Sequence, residues 1–233
     1  MLKQLREEVL EANLELVRRG LVLYTFGNAS GIERDEGLVV IKPSGVPYEE
    51  MKPEHLVITD LSGIVVEGDL RPSSDLPTHL LLYKAFPETG GVTHTHSEYA
   101  TAWAQSRRSI PCFGTTHADY FYGGVPVTDV MDSSEIATEY ERNTGQAIVR
   151  AFRNLDYRVV PAVLVANHGP FAWGKTATEA AHNAVILESV ARTAYRTVVL
   201  NAGSETIGKA LHDKHFFRKH GKDAYYGQPG DNK

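Results

Sequence analysis

Apolar residues along the chain follow two different spacings, and each spacing predicts a different element. From Leu5 to Leu16 they recur every three or four positions, and Gly20 stands where a helix would end. This pattern predicts an amphipathic helix over residues 3–19. Residues 55–68 instead predict a β-hairpin, because two short apolar runs flank a polar turn.

The rest of the chain alternates between predicted helices and strands. One helix is expected to begin at Ser74 or Asp75, and another at the capping pair Asp132 and Glu135, whereas the tail from Ser204 has a short, mixed pattern. Because a hairpin interrupts the alternation, the residues predict one α/β layered domain with a mixed sheet. The patterns predict strands over 90–96 and 159–169, and helices over 72–86, 97–105, 132–152 and 176–200.

Composition limits the classes of function. The chain has 233 residues, of which 42% are hydrophobic, and a formal net charge of −5. This length fits one large domain or two small ones, and without a strongly basic stretch we expect no nucleic-acid partner. A single cysteine, Cys112, allows no intrachain disulfide, so we expect a cytoplasmic location. The charged N-terminal segment and the lack of about 18 consecutive apolar residues predict neither a secretory signal nor a membrane span.

Histidines stand at two predicted strand ends. His94 and His96 project from the same face of a strand, with Cα atoms about 6.5 Å apart, so both imidazoles could bind one ion. His168 follows a second apolar strand. Three imidazoles at such ends match the open zinc sites of enzymes, whereas a bare pair alone is more typical of two half-exposed strand residues. Asp75 could be a fourth ligand or an outer base, and N-cap duty alone would also explain it.

Three loops offer backbone N–H groups and hydroxyls that suit an anion. They lie at 25–31 (TFGNASG), 42–45 (KPSG) and 72–75 (PSSD), the last at a predicted helix N-terminus. Each loop alone could be an ordinary turn, since glycine, serine and asparagine are common in turns. Together with three candidate zinc ligands, they indicate a phosphorylated small molecule as substrate.

These segments resemble the L-ribulose-5-phosphate 4-epimerases, members of the zinc-dependent class II aldolase family that also includes L-fuculose-phosphate aldolase and the adducin head domain. The similarity covers nearly the whole chain. It implies a single domain over 1–233, with an active-site tail from about 204 to 233. The implied fold is a three-layer α/β/α sandwich around a mainly antiparallel central sheet, assembled as a homotetramer with active sites at subunit interfaces. The segments are FGNASG, KPSG, SSDLPTH, HTHSEYATAWAQ, GTTHADYFYG, HGPFAWG and KHFFRKHGKDAYYGQ.

The resemblance also implies a role for individual residues. One Zn²⁺ per subunit, or another divalent ion, would be bound by three histidines with an aspartate at or beside it: His94, His96, His168 and Asp75. The sugar phosphate would be bound by Gly27, Asn28, Lys42, Ser44, Gly45, Ser73 and Ser74. The acid–base groups would be Asp119 and Tyr226, the latter from the neighbouring subunit, with His215 assisting. Related aldolases carry a glutamate where Asp75 stands, which favours an epimerase.

The implied reaction converts L-ribulose 5-phosphate to D-xylulose 5-phosphate by retro-aldol cleavage, rotation of the aldehyde and re-addition. Deprotonation at C4 is disfavoured because the C2 carbonyl is two carbons away, and inversion then needs one proton-transfer group on each side of the aldehyde. Alternatives are an aldolase acting on another phosphorylated sugar, such as L-fuculose 1-phosphate, and a non-catalytic module like adducin. A zinc hydrolase would be expected to carry a motif such as H-E-x-x-H, which the sequence lacks. Use in arabinose or in ascorbate breakdown stays open.

Overall fold

The computed structural model describes residues 2–221 and 224–226. Within them, no helix combines the length and the apolar character needed to cross a membrane. The strands are β1 (Asn28–Glu33), β2 (Leu38–Ile41), β3 (Val57–Asp60), β4 (Val65–Glu67), β5 (Gly91–His94), β6 (Ala162–Leu164) and β7 (Pro170–Gly174). The helices are α1 (Lys3–Arg18), α2 (Leu76–Ala85), α3 (Glu98–Gln105), α4 (Thr115–Ala118), α5 (Ser133–Ala137), α6 (Tyr140–Ala151), α7 (Ala177–Leu200) and α8 (Lys209–His220).

The strands form one sheet in the order β4-β3-β2-β1-β5-β7-β6. Each pair of neighbouring strands is antiparallel in the described part of the chain. The mixed sheet expected from the residue pattern is therefore wrong, because the pattern locates strands without giving their direction. The mainly antiparallel sheet implied by the family resemblance is confirmed. A parallel contact occurs only as an isolated bridge between Val127 and Leu164 among these residues.

Helices cover both faces of the sheet, which confirms the three-layer sandwich. One core lies between the sheet and α1, α3 and α7, and the other between the sheet and α2 and α6. Strand β2 shows the alternation on which these layers depend. Leu38 and Val40 pack into the first core, whereas Val39 and Ile41 pack into the second. Helix α7 lies directly on the strand backbone, and a Cβ added to Gly91 would be 2.4 Å from Cα of Ala177.

Several elements differ from the pattern-based expectations, among them β1, which begins inside the loop assigned to 25–31. The helix predicted over 132–152 is two helices, α5 and α6, because the backbone leaves helical geometry at Thr138 (φ −106°, ψ −106°). Strand β7 was not predicted, since its five residues are all buried and show no alternation. The mixed tail contains α8, whose buried Phe216 packs against Tyr122. Positions 222–223 and 227–233 of the tail lie outside the described residues.

Candidate active site

Three imidazoles converge where β5 ends and β7 begins. Strand β5 ends at His94, so His96 lies two residues beyond the strand, and His168 lies in the turn between β6 and β7. One ring nitrogen of each lies within 4.8 Å of the others, and Nε2 of His94 is 3.1 Å from Nε2 of His96. Two nitrogens bound to one tetrahedral zinc ion at about 2.0–2.1 Å would be about 3.4 Å apart. His94 and His96 therefore have about the spacing that a shared ion requires, and a ring nitrogen of His168 lies within 4.8 Å of both.

The protonation of the imidazoles also fits a metal ion. Nδ1 of His94 lies 2.9 Å from the carbonyl oxygen of Pro170, which can only accept, so His94 donates there and its Nε2 lone pair faces His96. Burial lowers the pKa of His94 and of His96. Burial, followed by repulsion from the other two rings, lowers the pKa of His168 to about 4. Neutral imidazoles are the form that binds metal.

Asp75 lies beside the imidazoles rather than capping its helix. It occupies the N-cap position of α2, but its side chain makes no capping hydrogen bond. Its Oδ2 instead accepts from Nδ2 of Asn28 over 2.6 Å. Burial alone would raise the pKa of Asp75, but attraction to His94 and His79 and the bond from Asn28 outweigh burial and lower it. The N-cap alternative is therefore wrong, and the carboxylate of Asp75 stands next to the three imidazoles.

A cavity of about 390 Å³ joins these groups, and we call it the histidine cavity. Its lining brings together both the predicted metal ligands and the predicted substrate-binding residues. It also includes Tyr140 and Glu141, which the sequence patterns did not indicate. The predicted residues that line it are Gly27, Asn28, Lys42, Ser44, Gly45, Ser73, Ser74, Asp75, His94, His96 and His168.

Gly27 allows the loop before β1 to approach the histidines. Its φ is +78°, a conformation that L side chains rarely adopt. A Cβ at this position would also lie 2.9 Å from the carbonyl oxygen of His94. The following residue, Asn28, pairs with His94 across the sheet, so this close contact fixes one wall of the cavity.

Lys42 supplies a buried positive charge to the cavity. Its side chain lies 4.7 Å above the ring of Tyr48, and Nζ donates to the carbonyl oxygen of Pro43 over 3.3 Å. Burial lowers the pKa of Lys42 to about 8. No carboxylate of the described residues lies within ion-pair distance of it. A bound phosphate would provide the missing negative charge.

The remaining predicted catalytic residues are Asp119, His215 and Tyr226. Together with Arg218 and Lys219 they form a second group, which we call the Asp119 cluster. Arg218 donates to both carboxylate oxygens of Asp119, over 2.9 and 2.7 Å, and Nδ1 of His215 lies 3.1 Å from Oδ1. The ring of Tyr226 lies 4.8 Å from Cζ of Arg218. Burial would raise the pKa of Asp119, but the bonds from Arg218 and His215 lower it overall.

The Asp119 cluster lies at the opposite end of the central strands from the histidine cavity. Strand β5 runs from Gly91 to His94, and Gly174 pairs with Gly91 at the end away from the imidazoles. There a second cavity, of about 560 Å³, is lined by Gly174 and Lys175 and also by Lys219 of the cluster. Of the residues that the structure describes, none in the cluster lines the histidine cavity. One chain alone therefore does not bring the two groups together.

Arg218 and Lys219 were not among the predicted site residues. They lie one helical turn beyond His215 in α8, so a helical interpretation of the segment KHFFRKHG would have placed all three on neighbouring positions of one face. The sequence pattern did not predict helix α8, so it did not identify Arg218 and Lys219 as site residues.

Comparisons with known proteins agree with this architecture. The Salmonella paratyphi A protein named L-ribulose-5-phosphate 4-epimerase UlaF is 52% identical over 227 residues, covering 97% of this chain and 100% of that protein. The protein of the same name from Salmonella typhi has the same identity and coverage. Solved structures of aldolases share the fold as well.

A solved L-fuculose 1-phosphate aldolase superposes with a TM-score of 0.75 at 26% identity, covering 91% of this chain and 94% of that one. The L-fuculose-1-phosphate aldolase from Thermus thermophilus has a TM-score of 0.69 at 23% identity, covering 88% and 99%, a likeness of fold alone. The family model for the class II aldolase and adducin N-terminal domain matches residues 7–195, well over half of the sequence. The chain therefore belongs to the class II aldolase and adducin family.

Proposed function

We propose that this chain is a metal-dependent epimerase that interconverts L-ribulose 5-phosphate and D-xylulose 5-phosphate. The observation that carries the proposal is the histidine cavity, in which three imidazoles and Asp75 share one space with the predicted phosphate-binding loops. The name of the 52% identical relatives supports the same substrate. The aspartate at position 75, where related aldolases carry glutamate, favours the epimerase over an aldolase.

One divalent ion, Zn²⁺ in our proposal, would be bound by the imidazoles of His94, His96 and His168, with Asp75 at or beside it. The geometry and the neutral state of the rings fit such an ion. When bound, the metal would supply Lewis-acid stabilisation of negative charge on the sugar oxygens. The residues of the chain would bind the phosphate and transfer the protons.

The phosphate would be bound by Lys42 and by groups at two loops. Ser73 and Ser74 precede α2, where backbone N–H groups and the helix dipole favour an anion. Ser44 and Gly45 follow Pro43, which pairs with Pro72 in an isolated bridge, so the two loops lie side by side. A side chain at Gly45 would find no other atom within 4 Å, so that backbone is open to a ligand. Tight binding of the phosphate is needed because the glycolaldehyde phosphate must rotate within the site without dissociating.

The bond changes balance without an external reactant. A base removes the C4 hydroxyl proton, the C3–C4 bond breaks, and its electron pair remains on the C3 fragment as an enediolate. The other fragment is glycolaldehyde phosphate. After the aldehyde turns, the enediolate adds to its other face and an acid returns a proton to the C4 oxygen. Asp119 and Tyr226 would be the two proton carriers, one on each side of the aldehyde, with His215 assisting Asp119.

The Asp119 cluster would act on the histidine cavity of a neighbouring subunit in a homotetramer. Its position at the far end of β5 supports this arrangement, as does its exposed Tyr226. Because Asp119 and Tyr226 both contact Arg218, both would come from the same neighbour, whereas the family resemblance implied a neighbouring subunit only for Tyr226. The cytoplasmic location and the single domain with its active-site tail stay predictions.

The test is an assay of the purified protein with L-ribulose 5-phosphate, coupled to detection of D-xylulose 5-phosphate. We expect turnover that stops when a chelator removes the metal and returns when Zn²⁺ is restored. Net release of free aldehyde from this substrate or from L-fuculose 1-phosphate, without epimer, would indicate an aldolase. A protein that retains its metal but turns over neither sugar would be a binding module, and the proposal would be wrong.

A further inference from the structure

Tyr140 is one of two residues of the histidine cavity, with Glu141, that neither the sequence patterns nor the family resemblance indicated. It is the first residue of α6, and its side chain lines the histidine cavity. Its hydroxyl oxygen lies 3.3 Å from Nδ1 of His168, and the two rings are 6.0 Å apart. Among the described residues, the ring of His168 has the hydroxyl of Tyr140 as its hydrogen-bond partner.

The contact matches the arrangement at His94. There Nδ1 donates to the carbonyl oxygen of Pro170, which leaves Nε2 free on the side of the other imidazoles. Histidines that bind metals usually donate their second N–H to such an outer partner, which fixes the tautomer and the ring orientation. We propose that the hydroxyl of Tyr140 is the outer partner of His168, accepting its Nδ1–H and leaving Nε2 for the metal. This inference rests on the proposed metal site.

Two packing features hold Tyr140 in place. The break between α5 and α6 is bridged by Asn143, whose Nδ2 donates to the carbonyl oxygen of Glu135. Helix α6 is joined to α2 by a hydrogen bond from Thr78 to the backbone carbonyl of Glu141. Because α2 begins directly after Asp75, one helix pair positions both the carboxylate and the tyrosine beside the imidazoles.

The experiment replaces Tyr140 with phenylalanine, which keeps the ring and removes only the hydroxyl. The dissociation constant for Zn²⁺ is measured by competition with a chromophoric chelator, and the absorption spectrum of the Co²⁺-loaded protein reports the ligand geometry. Tyr157→Phe is the matched control, because that hydroxyl accepts from the backbone N–H of Glu88, near the other cavity. We expect Tyr140→Phe to weaken binding about 10- to 100-fold and to alter the Co²⁺ spectrum, with the control unchanged.

The outcomes separate this inference from the proposed function. If the unaltered protein binds Zn²⁺ tightly and Tyr140→Phe binds it equally well with the same Co²⁺ spectrum, the role of Tyr140 is wrong while the metal site stands. If the unaltered protein binds no divalent metal, the proposed metal site fails and the role of Tyr140 fails with it. An equal loss in Tyr157→Phe would overturn the assignment to Tyr140, because it would show that a hydroxyl far from the imidazoles matters as much.

Discussion

An active site divided between two subunits makes a specific prediction about mixed tetramers. Asp119 and Tyr226 both contact Arg218, whereas His96 lies in the histidine cavity at the opposite end of β5. If each site combines the cavity of one subunit with the Asp119 cluster of its neighbour, Asp119→Asn and Tyr226→Phe damage the same half. His96→Asn damages the other half.

The expected recovery follows from counting halves. In a random equal mixture of His96→Asn and Asp119→Asn chains, an intact site needs a cavity from an Asp119→Asn chain and a cluster from a His96→Asn chain. The cavity of a given site is intact with a probability of about one half, and so is its cluster. About one quarter of the sites in a ring of subunits should therefore be active. Loss of an acid–base group costs about 10²- to 10⁴-fold, so the Asp119→Asn parent should retain about 1% of activity or less. The signal should therefore exceed the background at least about 25-fold.

The assay requires proof that hybrids form. The two variants carry different affinity tags, are mixed in mild denaturant, refolded, and captured on both tags in succession before the coupled epimerase assay. Metal content is measured in both parents. A mixture of Asp119→Asn with Tyr226→Phe should stay at the level of its parents, because every cluster is then damaged. Recovery in that mixture would place the two residues in different subunits of a site. Captured hybrids of His96→Asn and Asp119→Asn without recovery would refute the divided site.

Four further results are expected. His96→Asn should lose most of its divalent metal by atomic absorption, and full metal content with full activity would remove it from the site. Burial lowers the pKa of Lys42 to about 8, so its positive charge is present below that pH and lost above it. The KM for the sugar phosphate should therefore rise above about pH 8. A KM that does not change between about pH 7 and pH 9.5 would contradict this prediction. Gly27→Ala should cost about 1–3 kcal/mol of stability, measured by denaturant unfolding against Gly203→Ala, and an equal effect of both would show that the strained φ is unimportant. Light scattering should give a tetramer, and a stable, fully active monomer would exclude the shared site.

Elements with strong local signals were predictable from the sequence. The helix predicted over 3–19 is observed as Lys3–Arg18, and the helix predicted over 176–200 as Ala177–Leu200. In the second case the hydroxyl of Thr176 accepts from the backbone N–H of Glu179, a cap formed within the first turn. Such elements are encoded by spacing and by caps within a few residues, so no tertiary information is needed to find them.

Elements that depend on distant contacts were not predictable in the same way. Strand β7 is buried on both faces, so its residues show no alternation, and only its pairing with β5 and β6 defines it. Helix α8 buries only Phe216 among its residues, against Tyr122 in a loop about 90 positions earlier. The sequence contains no local pattern that would link these two segments.

The residues of the candidate site also divide into those with local sequence signals and those that depend on distant contacts. His94, His96 and His168 were predictable as a group because both segments end apolar strands, and the sheet places β5 beside β7. The contact between Tyr140 and His168 was not predictable, because it depends on the break between α5 and α6. The two hydrogen bonds from Arg218 to Asp119 were not predictable either, because they form only when α8 packs against α4.

The ionisation of Asp119 bears on the difference between an epimerase and an aldolase. With Arg218 donating to both oxygens, the pKa of Asp119 is lowered, so in the proposed reaction Asp119 would act as the base at neutral pH. A carboxylate can take the C4 hydroxyl proton on its own side, but inversion requires a proton delivered on the other side. The hydroxyl of Tyr226 can donate that proton, because a phenol carries one donor. Cleavage alone would need one such group, whereas inversion would need one on each side of the aldehyde, and Arg218 contacts both candidates, the carboxylate of Asp119 and the ring of Tyr226.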